Sequence, residues 1–145
     1  MSENENMEIV QNVVRKLKEY ASGDYFLYKG KLFPIDYEDF NVIEGCTYNE
    51  GVYAFPGGTE VFEGDIEPAN LYNYFSDYLG VDYVVDSNKE YKAARVMVTC
   101  GGPNIFIDSY EGEVQLYWGM ERATAKIPAN ICEEINNVFR EFYYC

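Results

Sequence analysis

A chain of 145 residues with 48% hydrophobic and 17% aromatic residues is long enough for one domain with its own core, and too aromatic for a disordered acidic tail. Its 25 acids against 11 bases give a net charge of −14, the wrong sign for anionic lipid or for direct binding to nucleic-acid phosphates. Without histidine, without a CxxC pair among its four cysteines and without a run of about 18 apolar residues, the sequence argues against a structural zinc site and a membrane-spanning helix.

Residues 1–6 are polar and expected to be frayed. From Met7 to Ala21, Val10, Val13, Val14, Leu17 and Ala21 recur at three and four positions, which predicts an amphipathic helix with one buried stripe. Arg15, Lys16 and Lys18 fall in its second half, where cations suit the helix dipole, and Ser22-Gly23 ends it with a left-handed glycine. The basic trio is read as a solvated helix end. Tyr25–Tyr28 and Leu32–Ile35 flank Lys29-Gly30-Lys31 as two short strands, with Pro34 placing the second at a sheet edge or ending it early. Val52–Phe55 and Thr59–Phe62 form a second hairpin around Pro56-Gly57-Gly58, glycines too few for a phosphate loop and followed by no lysine.

Glu67-Pro68-Ala69-Asn70 is predicted to open a second helix. Leu71, Phe75 and Tyr78 or Leu79 point inward, Tyr72, Asn73 and Asp77 outward, and Gly80 ends it. Val81–Asp86, Ala93–Thr99, Ile105–Asp108, Val114–Trp118 and Ala123–Ile127 are extended, and their links are too short for parallel crossovers, so an antiparallel meander is expected. The run 96–98, Phe106 and Tyr117-Trp118 mark its expected core face. Pro128-Ala129-Asn130 repeats the second helix start and opens a last helix, striped by Ile131, Ile135, Val138 or Phe139, and Phe142. The expected fold is a single α+β domain over 1–145, an antiparallel sheet of hairpins and a C-terminal meander packed with about three amphipathic helices.

The charge is not spread along this scaffold. Between Lys31 and Lys89, the stretch 32–87 holds twelve acids and no base, where even spacing would put about four bases. The flanks keep thirteen acids and all eleven bases and are almost neutral.

Enzyme chemistry has little support. Histidine, the commonest general acid and base, is absent. Cys100 precedes Gly-Gly-Pro but has no base nearby in sequence to hold a thiolate, and a small buried thiol at a strand end is the simpler reading. With so many acids, a carboxylate pair at glycosidase spacing arises by chance. The acids from Asp36 onward match no calcium loop. No catalytic residue, metal ligand or cofactor is assigned. No secretory leader is visible, so reduced thiols in a bacterial cytoplasm are expected.

Short, acidic and without catalytic motifs, the chain resembles the anti-restriction and anti-CRISPR proteins of phages and mobile elements. The segment Val98-Thr99-Cys100-Gly101-Gly102-Pro103-Asn104-Ile105-Phe106-Ile107-Asp108, with Gly112-Glu113-Val114-Gln115-Leu116-Tyr117-Trp118-Gly119 after it, is similar to uncharacterised proteins of such elements. It is a hairpin scaffold and lends no functional residue. The resemblance implies a counter-defence inhibitor that binds a nuclease complex.

The charge by itself fits an acidic protein kept soluble by its repulsion, and it also fits this reading. Duplex DNA carries about one negative charge per 1.7 Å, and a fold that displays carboxylates with few cations imitates that field in the basic channel of a nuclease or other effector. The candidate partner-binding residues are Asp36, Glu38, Asp39, Glu44, Glu50, Glu60, Glu63, Asp65 and Asp77, with Tyr37, Tyr48 and Tyr72 as docking aromatics. Two alternatives stand beside this. One is an immunity or adaptor protein that binds a single basic partner such as a toxin. The other is a small enzyme using carboxylate or Cys100 chemistry.

Overall fold

The computed structural model describes residues 3–28, 31–36, 42–43, 47–54, 60–62, 64 and 66–145. The chain is α+β, three helices with antiparallel sheets, and it divides into two compact units, Met1–Ala21 with Leu71–Cys145, and Ser22–Asn70. Each is described by itself.

The first helix, α1, spans Glu3–Ala21, so residues 3–6 are helical rather than frayed. Asn6 is only 1% exposed, and its Nδ2 donates to Glu121 Oε2 at 2.9 Å. This tertiary bond secures a first turn that looks loose from its polarity alone. Val10, Val14 and Leu17 are buried as their spacing requires, and Gly23, at φ 78°, supplies the left-handed residue after the last turn.

The unit 22–70 is built of short strands. β1 (Tyr25–Tyr28) and β2 (Lys31–Asp36) form the predicted hairpin, and β3 (Val42–Ile43) extends it. Among the described residues β3 joins β2 at Ile35 and Asp36, and Pro34 pairs with Tyr25 of β1. A second sheet contains β4 (Thr47–Asn49), β5 (Val52–Ala54) and β6 (Glu60–Phe62) in sequence order. The β5–β6 pairing is the predicted one, and its Pro56-Gly57-Gly58 turn lies outside the described residues.

The β4–β5 hairpin adds a turn that the sequence reading passes over. Asn49 pairs with Val52, which leaves Glu50-Gly51 as a two-residue loop with φ 50° and 84°. Two positive φ values are the type I′ signature, whose twist matches the flanking strands. Glycine adopts that conformation freely, whereas glutamate carries a Cβ against it. Glu50→Asn is therefore expected to raise the unfolding free energy from urea titration by up to about 1 kcal/mol.

Glu67–Pro68 is not a helix start. It is a strand, β7, paired with Leu27 and Phe26 at the end of the order β3-β2-β1-β7. A proline that cannot donate suits an outermost strand as well as a first helical turn, so the same residue supports both readings. The helix that follows, α2, is the single turn Leu71–Tyr74. Phe75 N–H reaches Leu71 O at 3.0 Å, but the N–H groups of Ser76 and Tyr78 turn back to Asn73 and Phe75. This tightening to three-residue turns ends the helix, and Gly80 already belongs to the next strand. Leu71 and Phe75 are buried as predicted, Tyr78 is half-buried and Leu79 is exposed.

The C-terminal meander is present. β8 (Gly80–Val85), β9 (Tyr91–Thr99), β10 (Asn104–Asp108), β11 (Glu113–Trp118) and β12 (Glu121–Lys126) form one antiparallel sheet, ordered β12-β11-β10-β9-β8. Its core face presents Ala94, Val96, Ile105, Ile107, Val114 and Leu116 to the stripe of α1 and to the last helix, α3 (Ala129–Tyr143). The pairs Ile107–Val96 and Ile107–Val114 set the parity, so Phe106 and Tyr117 fall on the opposite face. Phe106 and Tyr117 were expected in the core. Instead their rings meet at 6.0 Å, the Arg95 guanidinium sits 3.7 Å from the Phe106 centroid, and Trp118 is exposed. Aromatics at alternate positions give the same period whichever face they occupy, so size alone misassigned the face.

Pro128 caps α3, its carbonyl accepting from Ile131 and Cys132 N–H at 3.0 and 3.1 Å. The two Pro-Ala-Asn triplets therefore do different work, one capping a 15-residue helix and one leaving a strand. Ile131, Ile135, Val138 and Phe139 are buried, while Phe142 stays 38% exposed. Tyr143 and Tyr144 tie the end of α3 to the β8–β9 turn. Tyr143 Oη donates to Lys89 O at 2.6 Å, and Tyr91 N–H donates to Tyr144 Oη at 2.9 Å.

Candidate functional site

The division into units sharpens the charge segregation. Ser22–Asn70 contains ten acids and two lysines, a net of −8 over 49 residues. The remaining 96 residues contain fifteen acids and nine bases, a net of −6. A compact body of 49 residues has a radius of gyration of about 10 Å. The Debye length at physiological salt is about 8 Å, so the carboxylates within that reach of an approaching partner act on it together and those on the far side are screened. Spread over a diameter of roughly 25 Å, −8 is about half the charge that duplex DNA carries over the same length.

The candidate acids fall into three groups. Glu38, Asp39, Glu44, Glu63 and Asp65, with Tyr37, lie outside the described residues. Asp36 ends β2 and Tyr48 is the middle residue of β4, paired with Tyr53. Glu50 and Glu60 are exposed on the β4-β5-β6 sheet. They sit at opposite ends of it, because Glu60 pairs with Ala54 whereas the Glu50 turn adjoins Val52, whose partner is Phe62.

Asp77 and Tyr72 belong to the other unit. Asp77 is exposed after α2. Tyr72 is exposed too, but its hydroxyl is hydrogen-bonded to Glu141, and its ring lies 6.2 Å from Phe142. The Glu141 hydrogen bond, then burial, then the Glu141 charge hold its phenol above the usual range. Tyr72 is thus occupied within its own unit. The candidate contact residues also leave out Asp24 and Glu67, both exposed members of the acidic unit. Asp24 precedes Lys29, and Glu67 was assigned to a helix start. The boundary of the folded unit, rather than any run of residues, groups them with the rest.

In the other unit, some acids are paired with bases. On the outer face of the five-stranded sheet, Arg95 Nε donates to Gln115 Oε1 at 3.0 Å and lies 3.9 Å from Asp108 Oδ2. Arg122 Nη2 donates to Glu113 Oε1 at 3.4 Å. Asp108 is 6% exposed, and its Oδ1 also accepts from the Tyr110 and Glu111 N–H groups at 2.9 Å. On α1, Arg15 and Lys16 share Glu19. These ion pairs all take their acids from outside the 32–87 stretch.

Cys100, expected as a buried thiol, is exposed, and Cys132 is half-buried. Burial, and then the Asp108 carboxylate, push the Cys132 thiol up, which lowers its thiolate fraction at neutral pH. Among the described residues, no three Cys, Asp or Glu side chains gather in a way that would hold a metal ion. Among them also, no helix is long and apolar enough to cross a membrane.

Two tyrosines report on the core. Burial first, then the Tyr20 and Asp77 charges, push the Tyr74 phenol up to about 12, and Tyr91 is also raised to about 12, chiefly by burial. A folded pKa above the unfolded value of 10 stabilises the fold below pH 10, and that contribution is lost as pH rises from 10 toward 12. Urea midpoints measured at pH 8, 10 and 11 are expected to fall along that series. Tyr74→Phe should flatten the fall and leave the pH 8 value nearly unchanged.

Compared with known proteins, the chain matches no family model, no curated protein and no solved structure.

Proposed function

We propose that the protein is a non-enzymatic inhibitor that occupies the basic nucleic-acid-binding surface of a nuclease, such as a restriction or CRISPR effector, through its acidic β-rich unit. The observation that carries this reading is the coincidence of charge and fold, ten acids and two lysines within Ser22–Asn70. A charge that served solubility alone would need no such partition, because solubility depends on the net charge of the whole molecule. The contact set is narrowed to Asp36, Glu38, Asp39, Glu44, Glu50, Glu60, Glu63 and Asp65, with Tyr37 and Tyr48 as docking aromatics. At half the charge density of DNA, the unit acts as a partial mimic. Its field speeds encounter, and aromatic packing supplies the rest of the affinity.

The test is capture of partners from a bacterial lysate on the immobilised protein, at low and high salt and with excess duplex DNA. The expected result is one nucleic-acid-binding protein, released by both salt and DNA. A specific partner that DNA does not displace would replace mimicry with the immunity or adaptor reading. No partner at all would leave the acids as a solubility device.

A further inference from the structure

Among the described residues, three cations line a groove of about 390 Å³ between α1 and β12, although Lys126 also pairs in register with Glu113. Arg15 and Lys18 line it from the helix, and Lys126 lines it from the strand. Gln11 and Thr124 add neutral polar groups, and Met7 and Val14 give it an apolar floor. Arg15 is partly balanced by Glu19 at 4.0 Å. All these residues belong to one compact unit.

The wall on the strand side is a sheet edge. β12 pairs with β11 from Glu113–Lys126 to Trp118–Glu121 and is terminal in the strand order, so its other side has no strand beside it among the described residues. An edge of six residues presents a row of backbone donors and acceptors, the template on which extended peptides add. The helix supplies what a bare edge lacks, a second wall with residues at i, i+4, i+7 and i+11 (Met7, Gln11, Val14 and Lys18) facing the same channel.

We infer that the α1–β12 groove receives an extended acidic peptide segment of a partner protein, which adds to β12 as a sixth strand while its carboxylates meet Lys18, Lys126 and Arg15. Backbone pairing gives this contact its affinity, and the three cations select for acid. The simplest competing account is that charges on β12 only keep the edge from aggregating. That account places no requirement on α1, whereas two of the three cations come from the helix. The inference does not draw on the acidic unit, since none of that unit's described residues lines the groove.

The experiment is selection of a random decapeptide display library on the whole protein, followed by anisotropy titration of the fluorescein-labelled winners. The expected winners are acidic, and they bind the Lys18→Glu/Lys126→Glu protein about tenfold or more weakly. Lys18→Gln/Lys126→Gln should give a smaller loss, with far-UV circular dichroism confirming that both variants fold. N-methylation of alternate peptide residues should abolish binding in one phase and spare it in the other, as only strand addition requires. The inference is overturned if no peptide is enriched over bare resin or if the winners are not acidic. Equal binding to the charge-reversed protein, or equal effects of the two N-methyl phases, overturns it as well. A concentration-dependent dimer in sedimentation that the same reversal abolishes would assign the groove to a second copy instead.

Discussion

Phe139→Ala is expected to destabilise the protein by about 3–5 kcal/mol, the range for a large aromatic removed from a packed core. Phe139 is 0% exposed, and its ring meets Phe75 at 4.9 Å, Tyr78 at 5.4 Å and Phe142 at 5.5 Å, each edge-on. It is the point where α3, the turn after α2 and the end of the helical stripe converge. Of its neighbours, Phe75 is anchored by the α2 turn and Phe142 packs against Tyr72, which Glu141 holds, so the cavity collapses poorly. Urea unfolding followed by far-UV circular dichroism measures it. The exposed end of the same stripe gives the contrast, since Phe142→Ala, at 38% exposure, should cost well under half as much.

The second large effect is on binding. Changing Asp36, Glu38, Asp39, Glu44, Glu50, Glu60, Glu63 and Asp65 to their amides removes eight of the ten acids of the 22–70 unit and brings its net charge from −8 to zero. Electrostatic steering is worth about 10- to 1000-fold in association rate, so the variant should associate with its captured partner more slowly by a factor in that range. The wild-type rate should fall steeply with salt and the variant's rate hardly at all. Stopped-flow fluorescence at several salt concentrations gives both slopes. The fold should persist, because an acidic surface repels itself and amides relieve that repulsion.

The sequence foretold the parts that rest on local pattern. The α1 stripe, the glycine after it, the β1–β2 and β5–β6 hairpins, the meander and the buried face of α3 follow from periodicity and turn residues. Its failures share a cause, tertiary context deciding between two locally acceptable states. Pro68 suited both a helix start and an outer strand, and the pairing of Glu67–Pro68 with β1 chose the strand. Phe106 and Tyr117 had the right period and the wrong face, because only the cross-strand partners of Ile107 fix parity. Asn6 looked like part of a polar tail until Glu121, 115 residues away, gave it a partner.

The site was legible in a similar, partial way. A run without bases located the acidic segment, but a window along the chain cannot find the edges of a folded unit. The window therefore spans residues of both units, Tyr72 and Asp77 belonging to the other one, and does not reach Asp24. The α1–β12 groove was visible only as three cations at the end of a helix. Lys126, far away in sequence, joins two of them, Arg15 and Lys18, in lining a channel.

The most direct measurement is the rate of DNA cleavage by the captured nuclease, taken over a matrix of inhibitor and DNA concentrations. The account predicts that added protein slows cleavage, that excess DNA restores it, and that the eight-amide variant fails to slow it. Unchanged cleavage, or inhibition that no amount of DNA relieves, would contradict the claim that this acidic unit stands in for nucleic acid.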